Sequence, residues 1–268
     1  MPAMKPAEIL RELKKYPKKL LGQHFLVDSS AVAEMVEAAE LSGEETVVEI
    51  GPGLGAITLA LLEHAKQVIA IELDYEFANY LRLKKQRRLV VVRGDALAVD
   101  WTETIDGPYK IVANIPYSIT SPLLRKIYSL DYRPETAVLL VQKELAHRLV
   151  AKPGDRQRGL LTLMIEANTD AKIVRTVKPG SFYPRPKTDS AVVQLITHHQ
   201  SLTPTIYWPA LQAGFRHKRQ LLVNALSKDL KRSKAELLGL LQKCSIKPST
   251  RAQELDFAAW QCLSQKLM

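Results

Sequence analysis

Cysteine and aromatic residues are scarce in this sequence. Cys244 and Cys262 are the only cysteines among its 268 residues, and phenylalanine, tryptophan and tyrosine together account for 6%. Two cysteines without a pairing context are too few to predict a disulfide framework or a zinc site. We therefore expect no metal and a reducing cytosol.

Long hydrophobic runs are also missing. No apolar stretch approaches the roughly 20 residues that span a bilayer, and the charged N-terminus is not followed by the apolar segment of a secretory signal. The sequence thus predicts a cytoplasmic protein that does not interact with a membrane. Hydrophobic residues still make up 46% of the chain, which is enough for a buried core and argues against disorder.

Acidic residues are outnumbered by basic ones. Lys and Arg total 38 against 28 Asp and Glu, which gives a formal net charge of +10. Residues 1–22 form one basic segment, which we interpret as an N-terminal arm, and residues 216–219 form a second cluster. A positive surface attracts phosphate groups and releases their counterions, so RNA or DNA is the leading class of partner. A basic balance alone is also common in proteins that bind neither.

Short β-branched runs alternate with helical patterns over the first two thirds of the chain. This alternation predicts an α/β fold built on a parallel sheet. The predicted strands are 46–50, 68–72, 89–93, 110–113 and 137–142, followed by 172–177 and 190–197. The predicted helices are 29–41, 56–65, 75–85, 121–130, 143–151 and 160–167, with Ser29 and Ser121 as N-caps.

Beyond about residue 200 only helical periodicity remains. We place a domain boundary at 198–204, which gives an arm over 1–22, an α/β domain over 23–199 and a helical domain over 200–268.

A glycine-rich turn follows the first predicted strand. Residues 49–55 read Glu-Ile-Gly-Pro-Gly-Leu-Gly, and the glycines allow the backbone to approach a ligand closely, Gly51 among them. The spacing differs from the Gly-x-Gly-x-x-Gly pattern of dinucleotide sites, and Pro52 lacks the N–H that a pyrophosphate would use. A nicotinamide cofactor is therefore disfavoured.

Acidic residues lie at the ends of the next two strands, with Glu72 as the last residue of one and Asp95 just after the other. Glu72 is placed to accept hydrogen bonds from both hydroxyls of a ribose, and Asp95 from the exocyclic amine of an adenine. Asp74 is an alternative to Glu72, although its position is more typical of a helix cap. Ligand-type residues at the ends of successive strands predict one site for an adenosine-containing cofactor.

The fourth strand ends in Asn114-Ile115-Pro116-Tyr117. The Asn114 side chain and a neighbouring carbonyl can accept hydrogen bonds from a planar amino group, while the Tyr117 ring offers a stacking surface for its base. Holding the amino nitrogen in this way directs its lone pair at a methyl donor, so positioning and desolvation supply much of the effect. A turn shaped by Pro116 with Tyr117 in the core is the alternative.

Taken together, these motifs resemble those of the small-subunit ribosomal RNA adenine dimethyltransferases. The resemblance covers nearly the whole chain, through segments 21–28, 49–55, 71–74, 94–96, 114–117, 142–144 and 181–193. It implies a seven-stranded Rossmann-like methyltransferase sheet with a small all-helical C-terminal domain. It further implies transfer of methyl groups from S-adenosyl-L-methionine to N6 of two adjacent adenosines, in a hairpin loop near the 3′ end of small-subunit rRNA within a ribosomal particle.

The resemblance also assigns site residues. Around the cofactor it places His24, Leu26, Gly51, Glu72, Asp95 and Asn114. Asn114 to Tyr117 hold the target adenine, and Phe182 is the second aromatic that sandwiches it, with core packing as its alternative. Ile115 replaces the more common Leu of the bacterial members, and Thr188 replaces Val.

Two alternatives stay open. The Asn-Ile-Pro-Tyr segment also occurs in large-subunit rRNA methyltransferases, and the same fold can serve as a non-catalytic ribosome assembly factor. Candidate phosphate contacts are Arg156, Arg158, Arg216, Lys218 and Arg219, although each also suits a solvated charged face. Nothing in the sequence indicates oligomers, so we expect a monomer.

Overall fold

The computed structural model describes residues 6–18, 22–100, 104–105, 107–130, 132–198 and 208–268. The chain divides into two compact units, Met1–Ala146 with Asp170–His199, and His147–Thr169 with Gln200–Met268. Residues 147–169 thus belong with the C-terminal helices and not, as the domain prediction had it, with the α/β domain. Most of the predicted boundary at 198–204 lies outside the described residues.

The first unit contains a seven-stranded sheet. Its elements are α1 (Pro6–Glu12), β1 (Phe25–Leu26), α2 (Ser29–Glu37), β2 (Thr46–Ile50), α3 (Ala56–His64), β3 (Gln67–Glu72), α4 (Tyr75–Leu83), β4 (Leu89–Arg93), β5 (Tyr109–Asn114), α5 (Thr120–Ser129), β6 (Thr136–Gln142), α6 (Lys143–Leu149), β7 (Thr169–Val177), β8 (Phe182–Tyr183) and β9 (Ser190–Thr197). The strand order is β4-β3-β2-β5-β6-β9-β7. This architecture confirms the predicted fold class.

Strands β2 to β6 pair in parallel, as predicted, but β9 pairs antiparallel with β6. The sheet is therefore mixed. A parallel strand requires a crossover connection, which is usually a helix. Residues 178–189, which connect β7 to β9, contain only a 3-10 turn and the two-residue strand β8. This connection has no crossover helix.

Helices on the sheet bury one face each. In α2 the buried residues are Ala31, Val32, Met35 and Val36, which recur at helical spacing and share a hydrophobic cluster with β2 and β3. The helix begins at its cap Asp28, whose carboxylate accepts hydrogen bonds from the N–H groups of Ser30 and Ala31.

The two serine caps were predicted wrongly. Asp28, and not Ser29, caps α2, and α5 begins at Thr120, so that Ser121 lies inside it. The pKa of Asp28 is lowered to about 2, chiefly by the hydrogen bond that it accepts from the Ser30 hydroxyl. The expected cap Asp74 is confirmed, since its side chain accepts a hydrogen bond from the Glu76 N–H at the start of α4.

The basic N-terminal segment is partly a packed helix. Leu10 of α1 is 3% exposed and lies in a cluster with Phe25, Leu54 and Phe77. The prediction of an arm over residues 1–22 missed this anchor, because one buried leucine in a basic segment gives little periodic signal.

The second unit is helical. It contains α7 (Leu160–Asn168), α8 (Trp208–Arg216), α9 (Leu222–Leu230), α10 (Lys234–Lys243) and α11 (Phe257–Leu267) around the fully buried Trp260. Across the described part of the chain, every helix is too short or too polar to cross a membrane.

Cys244 and Cys262 form a disulfide, contrary to the expectation of unpaired cysteines. Cys244 caps the C-terminus of α10 and Cys262 lies on α11, and packing of these two helices brings the Cα atoms within 5.8 Å. Nothing in their separation of 18 residues indicates this packing.

Arg158 is a structural residue, contrary to its prediction as a phosphate contact. It is 1% exposed, forms an ion pair with Glu166 and donates hydrogen bonds to the carbonyls of Ala151 and Leu255. A guanidinium has five donors, which here tie together three segments of the second unit. No phosphate can reach a side chain buried in this way.

Replacing Arg158 with Ala is expected to lower the free energy of unfolding by about 3 kcal/mol, because it leaves two carbonyls and a carboxylate without their donor. Thermal and urea unfolding of the full chain measure this. Arg219→Ala, which removes an exposed charge, is the matched control and should unfold like the wild type. Equal stability of Arg158→Ala and wild type would contradict the structural role.

Candidate cofactor and adenine site

One cavity of about 180 Å³ lies at the carboxyl ends of β2, β3, β4 and β5. It is lined by nine of the residues predicted for the site, namely His24, Leu26, Gly51, Glu72, Asp95, Asn114, Ile115, Pro116 and Tyr117. Phe182 is not among the lining residues. The structure therefore brings together every predicted cofactor residue and the Asn114–Tyr117 segment.

The glycine-rich turn passes close to the cavity wall. Gly53 has a φ of +55°, and a Cβ at this position would lie 3.0 Å from the Phe25 ring. Its N–H donates a hydrogen bond of 2.9 Å to Glu72. Only glycine combines this conformation with this close contact.

Glu72 is a buried acid held by main-chain donors. It is 5% exposed, and its two carboxylate oxygens accept hydrogen bonds from the N–H groups of Gly53, at 2.9 Å, and Asp74, at 2.8 Å. Burial raises its pKa, although these hydrogen bonds act to lower it. Because a carboxylate has about four acceptor positions, both oxygens can still accept ribose hydroxyls.

The neighbouring Asp74 is turned to other partners. Burial raises its pKa, but a hydrogen bond of 2.6 Å from Lys18 and the Glu76 N–H outweigh it, so its pKa is lowered overall. Asp74 is therefore occupied as a helix cap and ion pair, which leaves Glu72 as the ligand-facing acid.

Glu49 was not predicted as a site residue. It lines the cavity, is 1% exposed and accepts a hydrogen bond of 2.5 Å from the Thr58 hydroxyl. Burial, with the nearby charge of Glu72, raises the pKa of Glu49 to about 8. An acid within the otherwise apolar strand 46–50 is the signal that could have identified it.

The loop after β4 is held by a lysine. Asp95 is exposed at the cavity and accepts a hydrogen bond of 2.8 Å from the Leu97 N–H. The Lys126 ammonium of α5 donates hydrogen bonds to the carbonyls of Ala96, Leu97 and Val99. Lys126 thus positions the loop, a role that its place in a helical pattern did not indicate.

The Asn114 amide has a defined orientation. Its Nδ2 donates a hydrogen bond of 2.9 Å to the His24 carbonyl, and a carbonyl can only accept, so Oδ1 is the atom left for a donor. The Pro116 carbonyl accepts from the Ile119 N–H and the Thr120 hydroxyl. Among the described residues the Ile115 carbonyl receives no such bond, so it can accept a hydrogen bond from a ligand, as Oδ1 can.

Tyr117 and His24 are also held in place. The Tyr117 hydroxyl lies 2.6 Å from the Ser190 hydroxyl, and burial raises the pKa of Tyr117. The His24 ring lies 6.0 Å from the Tyr117 ring, at an interplanar angle of 28°. Its Nδ1 lies 2.7 Å from the Pro184 carbonyl, so Nδ1 carries the proton.

Phe182 occupies the core and not the place expected for a stacking ring. Its side chain is 3% exposed and lies in the hydrophobic cluster that contains Leu26, Val32 and Val192. It pairs with Leu26 across the β1–β8 ladder. The core alternative therefore describes its position, because the hydrophobic cluster encloses the Phe182 ring.

The remaining predicted phosphate contacts lie in the second unit. Lys218 and Arg219 are exposed, and Lys218 donates a hydrogen bond to the Arg156 carbonyl. Arg216 forms an ion pair of 2.8 Å with Asp229. The described residues contain no group of three or more His, Cys, Asp and Glu that could hold a metal ion.

Comparison with known proteins agrees with this geometry. A sequence model of ribosomal RNA adenine dimethylases matches residues 15–262. The chain belongs to this family. A ribosomal RNA small subunit methyltransferase A of Dehalococcoides mccartyi strain CBDB1 is 39% identical over 92% of this chain and 87% of that protein. The protein of the same name from Clostridium botulinum strain Langeland is 34% identical, over 97% and 98%.

Two solved structures of methyl-transferring enzymes also resemble this chain. A dimethyladenosine transferase from Plasmodium falciparum superposes with a TM-score of 0.78 at 27% identity, over 91% of this chain and 97% of that one. The 23S rRNA methyltransferase ErmE gives a TM-score of 0.71 at 26% identity, over 91% and 99%.

The cofactor of this adenine dimethylase is S-adenosyl-L-methionine. The cavity fits it, because Glu72 and the exposed Asp95 offer carboxylate oxygens that can accept hydrogen bonds from its nucleoside, and Asp95 adds an acidic group near a ligand that carries positive charge. When bound, the cofactor supplies an electrophilic methyl group on a sulfonium. Leu73, 52% exposed at the cavity, offers an apolar surface for the adenine of the cofactor.

The raised pKa of Glu49 predicts a pH-dependent stability. Between its ordinary pKa of 4.5 and about 8, the folded state keeps a proton that the unfolded state releases, so this group lowers stability as pH rises through that window. Glu49→Gln removes the dependence and can still accept from Thr58. We expect it to unfold at a higher temperature than wild type at pH 8, but not at pH 4.5.

Thermal unfolding of both proteins across pH 4.5–8.5 tests this expectation. Glu63→Gln, at an exposed acid of α3, is the control for a change of charge alone. A stability difference between Glu49→Gln and wild type that does not vary with pH would show that Glu49 is ionised in the fold.

Proposed function

We propose that this adenine dimethylase methylates N6 of two adjacent adenosines in a hairpin loop near the 3′ end of small-subunit rRNA. The reaction takes place in the cytoplasm on a ribosomal particle, and the enzyme acts as a monomer. The orientation of the Asn114 amide is the observation that supports methylation of an amino group. The relatives named as small subunit methyltransferases support the choice of RNA.

The residues of the cavity can prepare an adenine amino group for methylation. Asn114 Oδ1 and the Ile115 carbonyl accept hydrogen bonds from its two N–H groups. These bonds draw the nitrogen out of conjugation with the ring and make its lone pair available. Tyr117 stacks on the base and excludes water from one face. Bound S-adenosyl-L-methionine would supply the methyl group, and the methylated nitrogen would release one proton to solvent.

A second methylation uses the same acceptors. After the first transfer N6 keeps one N–H group, which can donate a hydrogen bond to either Asn114 Oδ1 or the Ile115 carbonyl. The methyl group takes the place of the other hydrogen. The wall formed by Ile115 and Pro116 at this point is apolar and suits a methyl group. Dimethylation therefore needs no second site.

The exposed basic residues are proposed to bind RNA phosphates. Arg156, Lys218 and Arg219 are exposed in the second unit, and Arg216 shares its charge with Asp229. Binding through them would weaken as salt rises, because each phosphate contact releases counterions.

The substrate is tested with undermethylated small ribosomal subunits and labelled S-adenosyl-L-methionine. We expect dimethyladenosine at two adjacent positions, mapped by primer extension and nucleoside analysis of the RNA. Large-subunit RNA offered in the same reaction tests the alternative, which the similarity to a 23S rRNA methyltransferase favours. Label found only in large-subunit RNA would overturn the proposed substrate.

Asn114→Ala tests the chemistry. We expect methyl transfer to fall by at least about a thousandfold, since the variant loses the acceptor that orients the nitrogen, while binding to subunits stays near wild type. Asn168→Ala, at an asparagine of α7, is a control outside the cavity. Full activity of Asn114→Ala would remove Asn114 from the mechanism, and a wild type that binds subunits without methylating them would favour an assembly factor.

A further inference from the structure

Tyr183 is an exposed aromatic residue of β8, the strand that pairs with the cavity-lining residues Phe25 and Leu26. It pairs with Phe25 across the β1–β8 ladder, and Phe182 pairs with Leu26. Residues directly opposite each other in an antiparallel ladder lie on the same face. Tyr183 therefore shares the face of Phe25, and Phe182 shares the face of Leu26. Both partners line the cavity, but Phe182 is enclosed in the hydrophobic cluster that contains Leu26. Tyr183 is 42% exposed and Phe182 is 3% exposed.

A short series of contacts connects this tyrosine to the proposed base-binding residue. The carbonyl of Pro184, the next residue along the chain, accepts a hydrogen bond of 2.7 Å from His24. The His24 ring in turn lies 6.0 Å from the Tyr117 ring. Two contacts thus separate the backbone beside Tyr183 from the ring that stacks on the target base.

The segment after Tyr183 carries positive charge outward. Arg185 and Lys187 are exposed, and the buried Pro186 lies between them. Neither forms an ion pair with another described residue. Proline at 184 and 186 restricts the backbone, so these charges are presented from a stiff segment beside the cavity. An exposed ring with adjoining cations is the arrangement that binds single-stranded nucleic acid.

We propose that Tyr183 is a stacking subsite for the nucleotide next to the target adenosine, with Arg185 contacting its phosphate. This inference rests on the proposed function, in which the substrate contains two adjacent adenosines. When one base leaves the stack to enter the cavity, its neighbour loses a stacking partner. The Tyr183 ring replaces that partner and holds the strand while the first base is methylated.

The subsite is tested with a hairpin RNA that carries 2-aminopurine next to the target adenosine. Stacking on an aromatic ring quenches the fluorescence of this base. We expect wild type to quench it and Tyr183→Ala to lose the quenching, with the KM for the unlabelled RNA raised roughly tenfold. Tyr183→Phe should behave like wild type, because the ring carries the interaction, and all variants should bind S-adenosyl-L-methionine with unchanged affinity.

Tyr132→Ala is the matched control. Tyr132 is 43% exposed and precedes β6, at the sheet edge away from the cavity, so its loss should change neither quenching nor KM. Wild-type quenching and KM in Tyr183→Ala would overturn the subsite, as would an equal loss in Tyr183→Phe. Quenching by a wild type that fails to methylate would contradict the proposed function and leave the subsite supported.

Discussion

The parallel register of β2, β3, β4 and β5 is the constraint on which the site depends. Ile50 lies opposite Ile71, and Glu72 lies opposite Arg93, so these strands end at one level. The turns that follow them must therefore meet at one edge of the sheet. The hydrogen bond from the Gly53 N–H to Glu72 joins two of these turns directly. A slip of one residue would turn Glu72 to the other face and break that bond.

Features that depend on local pattern could be predicted from the sequence. The buried strands are nearly continuous apolar runs, and their predicted limits differ from the observed ones by a few residues at most. Ligand-type residues directly after such strands are placed by the sheet alone, which is why Glu72 and Asn114 reach the cavity as expected. Their roles were predicted from these positions, whereas His24 and Leu26 were assigned only by resemblance to a family.

Features that depend on distant packing could not be predicted. Phe182 and Tyr183 are adjacent aromatic residues, and Phe182 is the buried one because it packs in a cluster with Leu26, Val32 and Val192, all distant from it or on other elements. Arg158 reads as a loop arginine until Leu255, 97 positions away, accepts its hydrogen bond. The same holds for the two cysteines, which meet only because α10 and α11 pack together. In each case the deciding partner is remote in sequence.

His24 holds the Asn114 amide in place through its main chain. Its carbonyl accepts from Asn114 and its ring donates to the Pro184 carbonyl, so one residue connects the segment before β1, the end of β5 and the segment after β8. The bond that orients Asn114 goes to the main chain of His24. Asn at this position would therefore leave that bond intact while it changes the ring contact with Tyr117. The orientation of the Asn114 amide thus depends on the path of the backbone at residue 24, whereas the contact with Tyr117 depends on the side chain there.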